Sequence, residues 1–313
     1  MLNILFMGTP DFAKDSLEAL YNANYKIIGV VTNPDRPKGR GMKMNTSPVK
    51  DFAISKDIKI YQPEKIKNNI EFINEIKNLN PDIICVVAYG KILPKEILDI
   101  PKYGCVNLHG SILPKYRGAA PIQWAILNGD TTTGVTTIYM DEGMDSGDII
   151  LKETVEIKED ETTGELWERL SKVGAKLLVE TISKIEDGTA PRQKQSQYYS
   201  LAPMLNKEMS KIDWNTMTKI EIKNLVRGLN PIMGAYTIYK GKKIKIWKIE
   251  ISNENYDNEL PGTILKSNDK TGLTIKTIDG AINVLEIQGE NAKKMSIYDF
   301  LRGNKLEVNE VLG

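Results

Sequence analysis

The sequence predicts an α/β protein with a doubly wound, mostly parallel sheet in its first part and a smaller β domain at its C-terminal end. Three observations support this prediction. Short apolar runs alternate with amphipathic segments of helical period up to about residue 188. A segment with neither period follows, and short alternating runs with turn residues between them come after it. A chain of 313 residues is long enough for two domains.

The strands of the first domain are short and apolar, and the first of them ends at a glycine. Residues 2–8 (LNILFMG) predict a buried strand, and 11–23 has apolar residues at helical spacing. The other predicted strands are 27–32, 82–90, 104–110, 135–140 and 148–157, and the other predicted helices are 70–79, 120–128 and 162–186. Such alternation is typical of a Rossmann-like sheet covered by helices on both faces, and run 148–157 alternates like an edge strand.

The long predicted helix stops at Gly188, so we place the first domain at 1–188. Residues 189–207 have no periodicity and contain two prolines, which is typical of a linker. The second domain, 208–313, opens with a helix at 219–230. Its strands are predicted at 235–240, 242–251, 262–268, 272–278 and 281–287, with Asp279-Gly280 as a hairpin turn. Five short strands of this kind predict a small OB-like barrel.

Composition excludes several classes of protein. The 42 basic and 41 acidic side chains nearly cancel, which is atypical of a strongly basic nucleic-acid binder. One histidine and two cysteines make a zinc site or a disulfide framework improbable, so no metal is expected. We find neither a basic leader nor an apolar run of about 20 residues. The expectation is a monomeric cytoplasmic protein without membrane contact.

The string NLHGS follows a buried strand at the sheet edge where parallel α/β sheets bind ligands. Period two places Asn107 and His109 on the same side, and an amide beside an imidazole can stabilise an oxyanion. A carboxylate that would orient the imidazole is offered by the loop at 141–148. Its acids are Asp141, Glu142, Asp145 and Asp148. Taken alone, the residues fit a hydrogen-bonded strand-end histidine and solvated turn acids equally well.

The wider string 107–149, NLHGSILPKYRGAAPIQWAILNGDTTTGVTTIYMDEGMDSGDI, resembles the signature of the folate-dependent formyltransferases. The resemblance implies a catalytic trio of Asn107, His109 and Asp145 and 10-formyltetrahydrofolate as formyl donor. It also implies that the tetrapeptide at 111–114 and the stretch AYGKILP (88–94) border the folate. These cofactor candidates are Ser111, Ile112, Leu113 and Pro114, followed by Arg117 and Gly118, and Tyr89, Gly90, Ile92 and Leu93. Isoleucine at 112 replaces the family's usual leucine, which conserves volume.

Segments outside this string resemble the branch of the family that formylates the initiator methionyl-tRNA. They include MGTPDFA (7–13), the basic segment 33–50 and KKMSIYDFLRG (293–303), so the resemblance spans the chain. It implies that the first basic run, at 36–50, contacts the tRNA, and a second run without acids, at 240–248, is a candidate because local basic patches bind phosphate backbones. The candidates are Arg36, Lys38, Arg40 and Lys43 in the first run, and Lys242, Lys243 and Lys245 in the second. The chain has Ile232-Met233 at the place where proteins of this branch usually have Trp-Pro.

Other interpretations of these features remain open. The composition of residues 36–50 also fits a solubilising surface loop. That of residues 240–248 also fits a solvated edge strand. Within the family, the acceptor could be an amino-sugar nucleotide, or water in a formyl-folate hydrolase. A non-catalytic tRNA-binding protein with a retained folate fold is the alternative from another class. The basic loop argues against the sugar, and the intact trio argues against the binding protein.

Overall fold

The computed structural model describes residues 1–38, 43–254, 256 and 258–313, and it divides into two compact units. Unit 1 comprises Met1–Pro121, Thr132–Glu156 and Trp167–Pro203, and unit 2 comprises Ile122–Thr131, Ile157–Leu166 and Met204–Gly313. Most of the predicted linker, up to Pro203, is therefore counted with unit 1. The borders 188 and 207 remain predictions.

The predicted strands and helices of unit 1 are present in the predicted order, with three further strands and two further helices between them. Its strands are β1 (Asn3–Gly8), β2 (Lys26–Val31), β3 (Arg36–Lys38), β4 (Lys43–Asn45), β5 (Ile60–Tyr61), β6 (Ile83–Val87), β7 (Cys105–His109), β8 (Thr132–Tyr139) and β9 (Ile149–Glu156). Its helices are α1 (Asp11–Asn22), α2 (Pro48–Ser55), α3 (Ile70–Leu79) and α4 (Lys95–Leu98). Helices α5 (Pro121–Leu127) and α6 (Thr163–Glu186) are divided between the units.

Seven of these strands form one sheet, in the order β5-β2-β1-β6-β7-β8-β9, and β3 and β4 pair separately. The first five strands are parallel, β8 pairs antiparallel to β7, and β9 pairs antiparallel to β8, which confirms the mostly parallel sheet with β9 at its edge. Leu5 and Met7 face the apolar side chains of α3. Helix α6 packs on β7 and β8, where a Cβ at Gly174 would meet Leu108 and where Thr181 hydrogen-bonds Thr137.

Unit 2 holds an antiparallel sheet. Its strands are β10 (Ala235–Tyr239), β11 (Lys242–Ile251), β12 (Ile264–Asn268), β13 (Gly272–Thr277), β14 (Gly280–Gln288) and β15 (Met295–Ser296), and its helices include α7 (Lys219–Gly228) and α8 (Ile297–Gly303). Helix α7 begins at a capping box, in which Thr218 and Glu221 bond each other's backbone N–H. Thr277 pairs with Gly280, so the predicted hairpin is present, but its two turn residues are Ile278 and Asp279, one position before the predicted Asp279-Gly280.

The predicted OB-like barrel is not confirmed. The strands run in the order β10-β11-β14-β13-β12, with β15 beside β14, and within the described residues no ladder joins β10 to β12. The sheet is therefore open. Strand β11 lies between β10 and β14, so the alternative of a solvated edge strand at 240–248 is wrong. No described helix is long and apolar enough to cross a membrane, and the described residues contain no cluster of three potential metal ligands from His, Cys, Asp and Glu.

Candidate active site

Asn107 and His109 lie at the carboxyl end of β7, and both side chains reach the carboxylate of Asp145 in the loop after β8. Asn107 Nδ2 donates to Asp145 Oδ1 at 3.3 Å, and His109 Nδ1 lies 3.6 Å from Asp145 Oδ2. The strand's period of two puts the amide and the imidazole on one side, as predicted. The structure thus brings together the three residues that the family resemblance implied.

Several local features fix the imidazole of His109. Its side chain is buried, and Nε2 lies 2.8 Å from the carbonyl oxygen of Tyr116. A carbonyl oxygen can only accept, so this contact assigns a proton to Nε2. Tyr116 has a left-handed backbone conformation, with a φ of 65°, and its carbonyl oxygen is the one that His109 Nε2 contacts. Nδ1 is consequently the ring nitrogen that faces Asp145.

Asp145 is held by more than the two side chains on β7. Its Oδ2 also accepts from the backbone N–H of Gly118 at 2.9 Å. Its φ of 51° lies in the left-handed region, which aspartate tolerates better than most residues. The carboxylate therefore receives two hydrogen bonds, one at each oxygen, and lies beside the ring of His109.

The other acids of the 141–148 loop point elsewhere. Asp141 accepts from the backbone of Gly143 and from the hydroxyl of Ser146, and Asp148 accepts from Arg192 Nε at 2.8 Å. Glu142 lies 3.8 Å from Lys95. The sequence left four acids open, and the structure directs Asp145 at His109.

The predicted cofactor tetrapeptide forms a tight loop after β7. The side chains of Ser111 and Leu113 are buried, and Ile112 and Pro114 are half-buried. Thr136 of β8 bonds both ends of this turn, because its hydroxyl donates to Ser111 O at 2.6 Å and accepts from Leu113 N at 3.1 Å. Lys152 Nζ donates to Leu113 O at 2.6 Å, and burial lowers the pKa of this lysine. These contacts order the backbone beside His109.

Gly134 of β8 leaves the space that this loop occupies. A Cβ at that position would lie 2.1 Å from the carbonyl oxygen of Glu153 and 2.5 Å from Ile112 Cδ1. We therefore expect Gly134→Ala to lower the free energy of unfolding by about 3 kcal/mol, because a backbone atom must shift. Chemical denaturation measures the effect. Gly303→Ala is the control, since a Cβ there meets no atom within 4 Å; equal stability of both variants would contradict the packing described.

The four candidates in AYGKILP divide into two kinds. The side chains of Tyr89 and Leu93 belong to the core beside α3, whereas Ile92 is exposed and Gly90 is open around its α-carbon. Burial raises the pKa of Tyr89, whose hydroxyl is buried without a hydrogen-bond partner among the described residues. Tyr89 and Leu93 thus face the core, whereas Gly90 and Ile92 border open space.

Arg117 and Gln195 also contact this site, and the pattern of residues around them does not predict it. Arg117 donates through Nε and Nη2 to Gln195 Oε1 at 3.0 and 2.7 Å, and Gln195 Nε2 donates to the carbonyl of Asp145 at 2.7 Å. Gln195 lies in the predicted linker, where no periodicity marks it. Only the resemblance drew attention to Arg117.

Two parts of the first basic run pair as strands β3 and β4, and residues beside them hydrogen-bond to other parts of unit 1. Arg36 lies 3.4 Å from Glu64, Lys50 pairs with Asp35, and Gln62 donates to Asp35 Oδ1 at 2.9 Å. Candidate Arg40 lies outside the described residues, and the side chains of two further candidates are not described. These two are Lys38 and Lys43, whose backbone belongs to β3 and β4.

The lysines of β11 differ in their surroundings. Lys242 is exposed, whereas Lys243 Nζ lies 3.5 Å from the ring centre of Tyr236. Lys245 donates to Met233 O at 2.6 Å, and its pKa is lowered by burial and by Lys243. The register shifts after Ile246, so the charges do not share one face along the whole run. Lys242 is the most accessible of the three candidates.

Comparison with known proteins agrees with this geometry. The family model described as formyl transferase matches residues 2–182, and the model of its C-terminal domain matches 204–305. The chain is 48% identical over 312 residues to methionyl-tRNA formyltransferase of Caldanaerobacter subterraneus subsp. tengcongensis, covering 99% of this chain and 100% of the relative. It is 50% identical over 313 residues to that of Clostridioides difficile, covering all of both chains.

A solved structure supports the fold. The N-formyltransferase of Helicobacter canadensis, in complex with folinic acid and dTDP-3-aminofucose, aligns with a TM-score of 0.69 at 22% identity, over 93% of this chain and 100% of that one. At this identity the likeness carries the fold alone. The identity to the curated relatives extends over the full length and includes both family domains. The chain therefore belongs to the formyltransferase family and, within it, to the methionyl-tRNA formyltransferases.

Proposed function

We propose that this chain transfers a formyl group from 10-formyltetrahydrofolate to the α-amino group of initiator methionyl-tRNA, using Asn107, His109 and Asp145. The observation that carries the proposal is the convergence of these three side chains at the carboxyl end of β7, in a chain about half identical to curated methionyl-tRNA formyltransferases. N-formylmethionyl-tRNA, the product, serves translation initiation.

The residues near this edge fit a folate. Strands β6 and β7 are parallel neighbours, so the loops that follow them open on the same edge of the sheet. Gly90 and Ile92 supply accessible backbone and an exposed apolar side chain, and Ile112 and Pro114 add half-buried apolar surface. A flat heteroaromatic ring needs such apolar contacts together with a few backbone donors and acceptors. Ser111 and Leu113 support this surface from beneath, because their side chains are buried and their backbone is hydrogen-bonded to Thr136 and Lys152.

The folate supplies the formyl group, and the three side chains manage the charge and the proton of its transfer. When the amine adds to the formyl carbon, the formyl oxygen gains negative charge. Asn107 Nδ2 has two hydrogens and gives one to Asp145, so the second remains for that oxygen. Loss of one such donor typically costs about 3 kcal/mol of barrier.

The amine must also lose a proton, and the bond between the formyl carbon and N10 of the folate must break, with N10 taking up a proton as it leaves. His109 keeps Nε2–H on Tyr116 O, so Nδ1 is the ring position that exchanges a proton with Asp145 or with the reacting groups. Asp145 either accepts this proton, directly or through water, or stays ionised and compensates the positive charge of a ring that has accepted it. A protonated Nδ1 donates to the formyl oxygen together with Asn107.

Each unit carries one of the proposed tRNA-contacting runs. The basic run at 36–50 offers Arg36, Lys38, Arg40 and Lys43, and β11 offers Lys242, Lys243 and Lys245. Lysine and arginine side chains bind the phosphate backbone and release counterions. A monomeric state likewise remains part of the proposal.

The exposure of Lys242 allows a test of the second run. Lys242→Met is expected to weaken tRNA binding and to reduce the slope of log affinity against log salt by about one, because one phosphate contact is lost. Filter binding across a salt series measures both. Lys270→Met removes an exposed lysine from the β12–β13 turn of the same unit and is the control. An unchanged slope for Lys242→Met would argue against phosphate contact at this residue.

The identity of the acceptor is tested by comparing two candidate acceptors in parallel reactions. The protein is incubated with 10-formyltetrahydrofolate and either initiator methionyl-tRNA or a nucleotide-linked amino sugar, and formylated product is quantified. The expected product is N-formylmethionyl-tRNA. Formylation of the sugar without formylation of the tRNA would refute the acceptor assignment, and release of formate without acceptor would indicate a hydrolase.

A further inference from the structure

The segment 193–202, named the strap here, crosses both loops that carry the proposed active site. At one end its backbone pairs with β9, where Gln193 and Ile149 exchange N–H···O bonds of 2.9 and 2.7 Å. At the other end Arg117 N donates to Ser200 O at 2.9 Å, and Ala202 N donates to Arg117 O at 2.7 Å. A stretch predicted as a linker thus has fixed positions against the tetrapeptide loop and the sheet edge.

Gln195 extends from the strap into the loop of Asp145. Its Nε2 donates to two carbonyl oxygens, those of Asp145 at 2.7 Å and Gly147 at 2.8 Å, which uses both amide hydrogens. Its Oε1 accepts twice from the guanidinium of Arg117, at 3.0 and 2.7 Å. Arg117 in turn lies over the ring of Tyr199, 4.4 Å from the ring centre. The amide of Gln195 therefore links Arg117 to the backbone of the acidic loop.

The backbone at Asp145 requires such support. A φ of 51° is sparsely populated for a residue with a side chain, and it persists where the surroundings fix it. The same backbone determines where the carboxylate points. With the carbonyl of Asp145 fixed by Gln195, the carboxylate accepts from Asn107 and Gly118 and lies 3.6 Å from His109. Rotation of this peptide would move the carboxylate away from the ring.

We propose that Gln195 is a positioning residue for formyl transfer: its amide holds the left-handed turn at Asp145 and thereby aims the carboxylate at His109. The proposal rests on the proposed function, because it assigns the geometry of that same trio. Gln195 does not touch the reacting atoms. Its effect is therefore expected on turnover and not on the binding of either substrate.

The first test compares Gln195→Met with Gln197→Met. Gln197 is an exposed glutamine of the same strap, so the control repeats the substitution without these hydrogen bonds. For Gln195→Met, kcat is expected to fall about 100-fold, as misplacement of a catalytic group by about 1 Å does, with little change in KM for tRNA or folate. The single imidazole supplies a second readout, because its NMR ring signals belong to His109 alone. They are expected to shift in Gln195→Met and not in Gln197→Met.

A second variant separates positioning from folding. Glutamate at 195 can still accept both N–H groups of Arg117, but its carboxylate offers no N–H to the two carbonyls of the loop. Gln195→Glu is thus expected to lose kcat as Gln195→Met does, while circular dichroism shows a folded protein whose Tm is lowered by the two lost hydrogen bonds but stays above the assay temperature. Wild-type kcat in Gln195→Glu, or equal losses in Gln195→Met and Gln197→Met, would overturn the proposal.

The failure of this proposal is distinguishable from failure of the proposed function. If the wild-type protein formylates methionyl-tRNA and Gln195→Glu does so equally well, only the role of Gln195 is wrong. If the wild-type protein formylates no tRNA, the proposed function is wrong. The His109 ring signals then still report whether Gln195 fixes the Asp145 loop, and unshifted signals in Gln195→Met refute that.

Discussion

Replacement of His109 by alanine is expected to lower kcat for formyl transfer by about 10⁴-fold, because an oxyanion donor and the proton-exchanging nitrogen are lost together. The imidazole lies against Asp145 and the carbonyl of Tyr116, and the chain has no second histidine that could replace it. Quenched-flow or steady-state formylation of methionyl-tRNA measures the effect.

The same substitution removes the hydrogen bond between His109 and the Tyr116 carbonyl, so a loss of stability must be separated from a loss of chemistry. Loss of one intramolecular hydrogen bond typically costs about 1 kcal/mol. Circular dichroism and thermal melting of His109→Ala are expected to show a folded protein with a lowered Tm that still binds folate. A folded variant that retains a tenth of wild-type kcat would remove His109 from the mechanism.

Asp145→Asn is expected to lower kcat by about 10²–10⁴-fold while both KM values change little, because the charge beside Nδ1 disappears and the shape remains. Asparagine tolerates the φ of 51° as well as aspartate does, and its single amide oxygen can accept one of the two hydrogen bonds, from Gly118 N or from Asn107 Nδ2, but not both. The loss therefore reports the carboxylate itself.

The neighbouring acid Asp141 provides the matched control for this change. Its Oδ1 accepts from Gly143 N and from the hydroxyl of Ser146, which an amide oxygen can also do, and it contacts neither His109 nor Asn107 through these bonds. Asp141→Asn is expected to have wild-type kcat. If Asp141→Asn loses as much activity as Asp145→Asn, the assignment of the carboxylate within the loop is wrong.

The sequence predicted most of the fold because buried strands and amphipathic helices have a local signature. The runs at 82–90 and 104–110 became β6 and β7, and the long helix at 162–186 became α6 within one residue. The prediction of a closed barrel in the second unit was not confirmed, because the described strands β10 and β12 do not pair. Closure depends on that pairing, and no local sequence pattern encodes it. The position of β11 inside the sheet was missed for the same reason.

The site was predictable in part. Strand period put Asn107 and His109 together, and the resemblance selected Asp145 from four acids that composition cannot distinguish. The choice depends on loop backbone, because Asp145 has a left-handed conformation and hydrogen bonds to Gly118 and Gln195 at positions distant in the chain. Gln195 was missed because its role rests on four hydrogen bonds made across an aperiodic segment.

A double-mutant cycle tests most directly the claim that His109 and Asp145 act as one unit in formyl transfer to methionyl-tRNA. It compares kcat of the wild-type protein, His109→Ala, Asp145→Asn and the double variant under single-turnover conditions. Groups that act together are strongly non-additive, so the double variant is expected to retain about the kcat of the worse single variant. Losses that multiply in the double variant would show that the two residues act independently, and would contradict the mechanism proposed here.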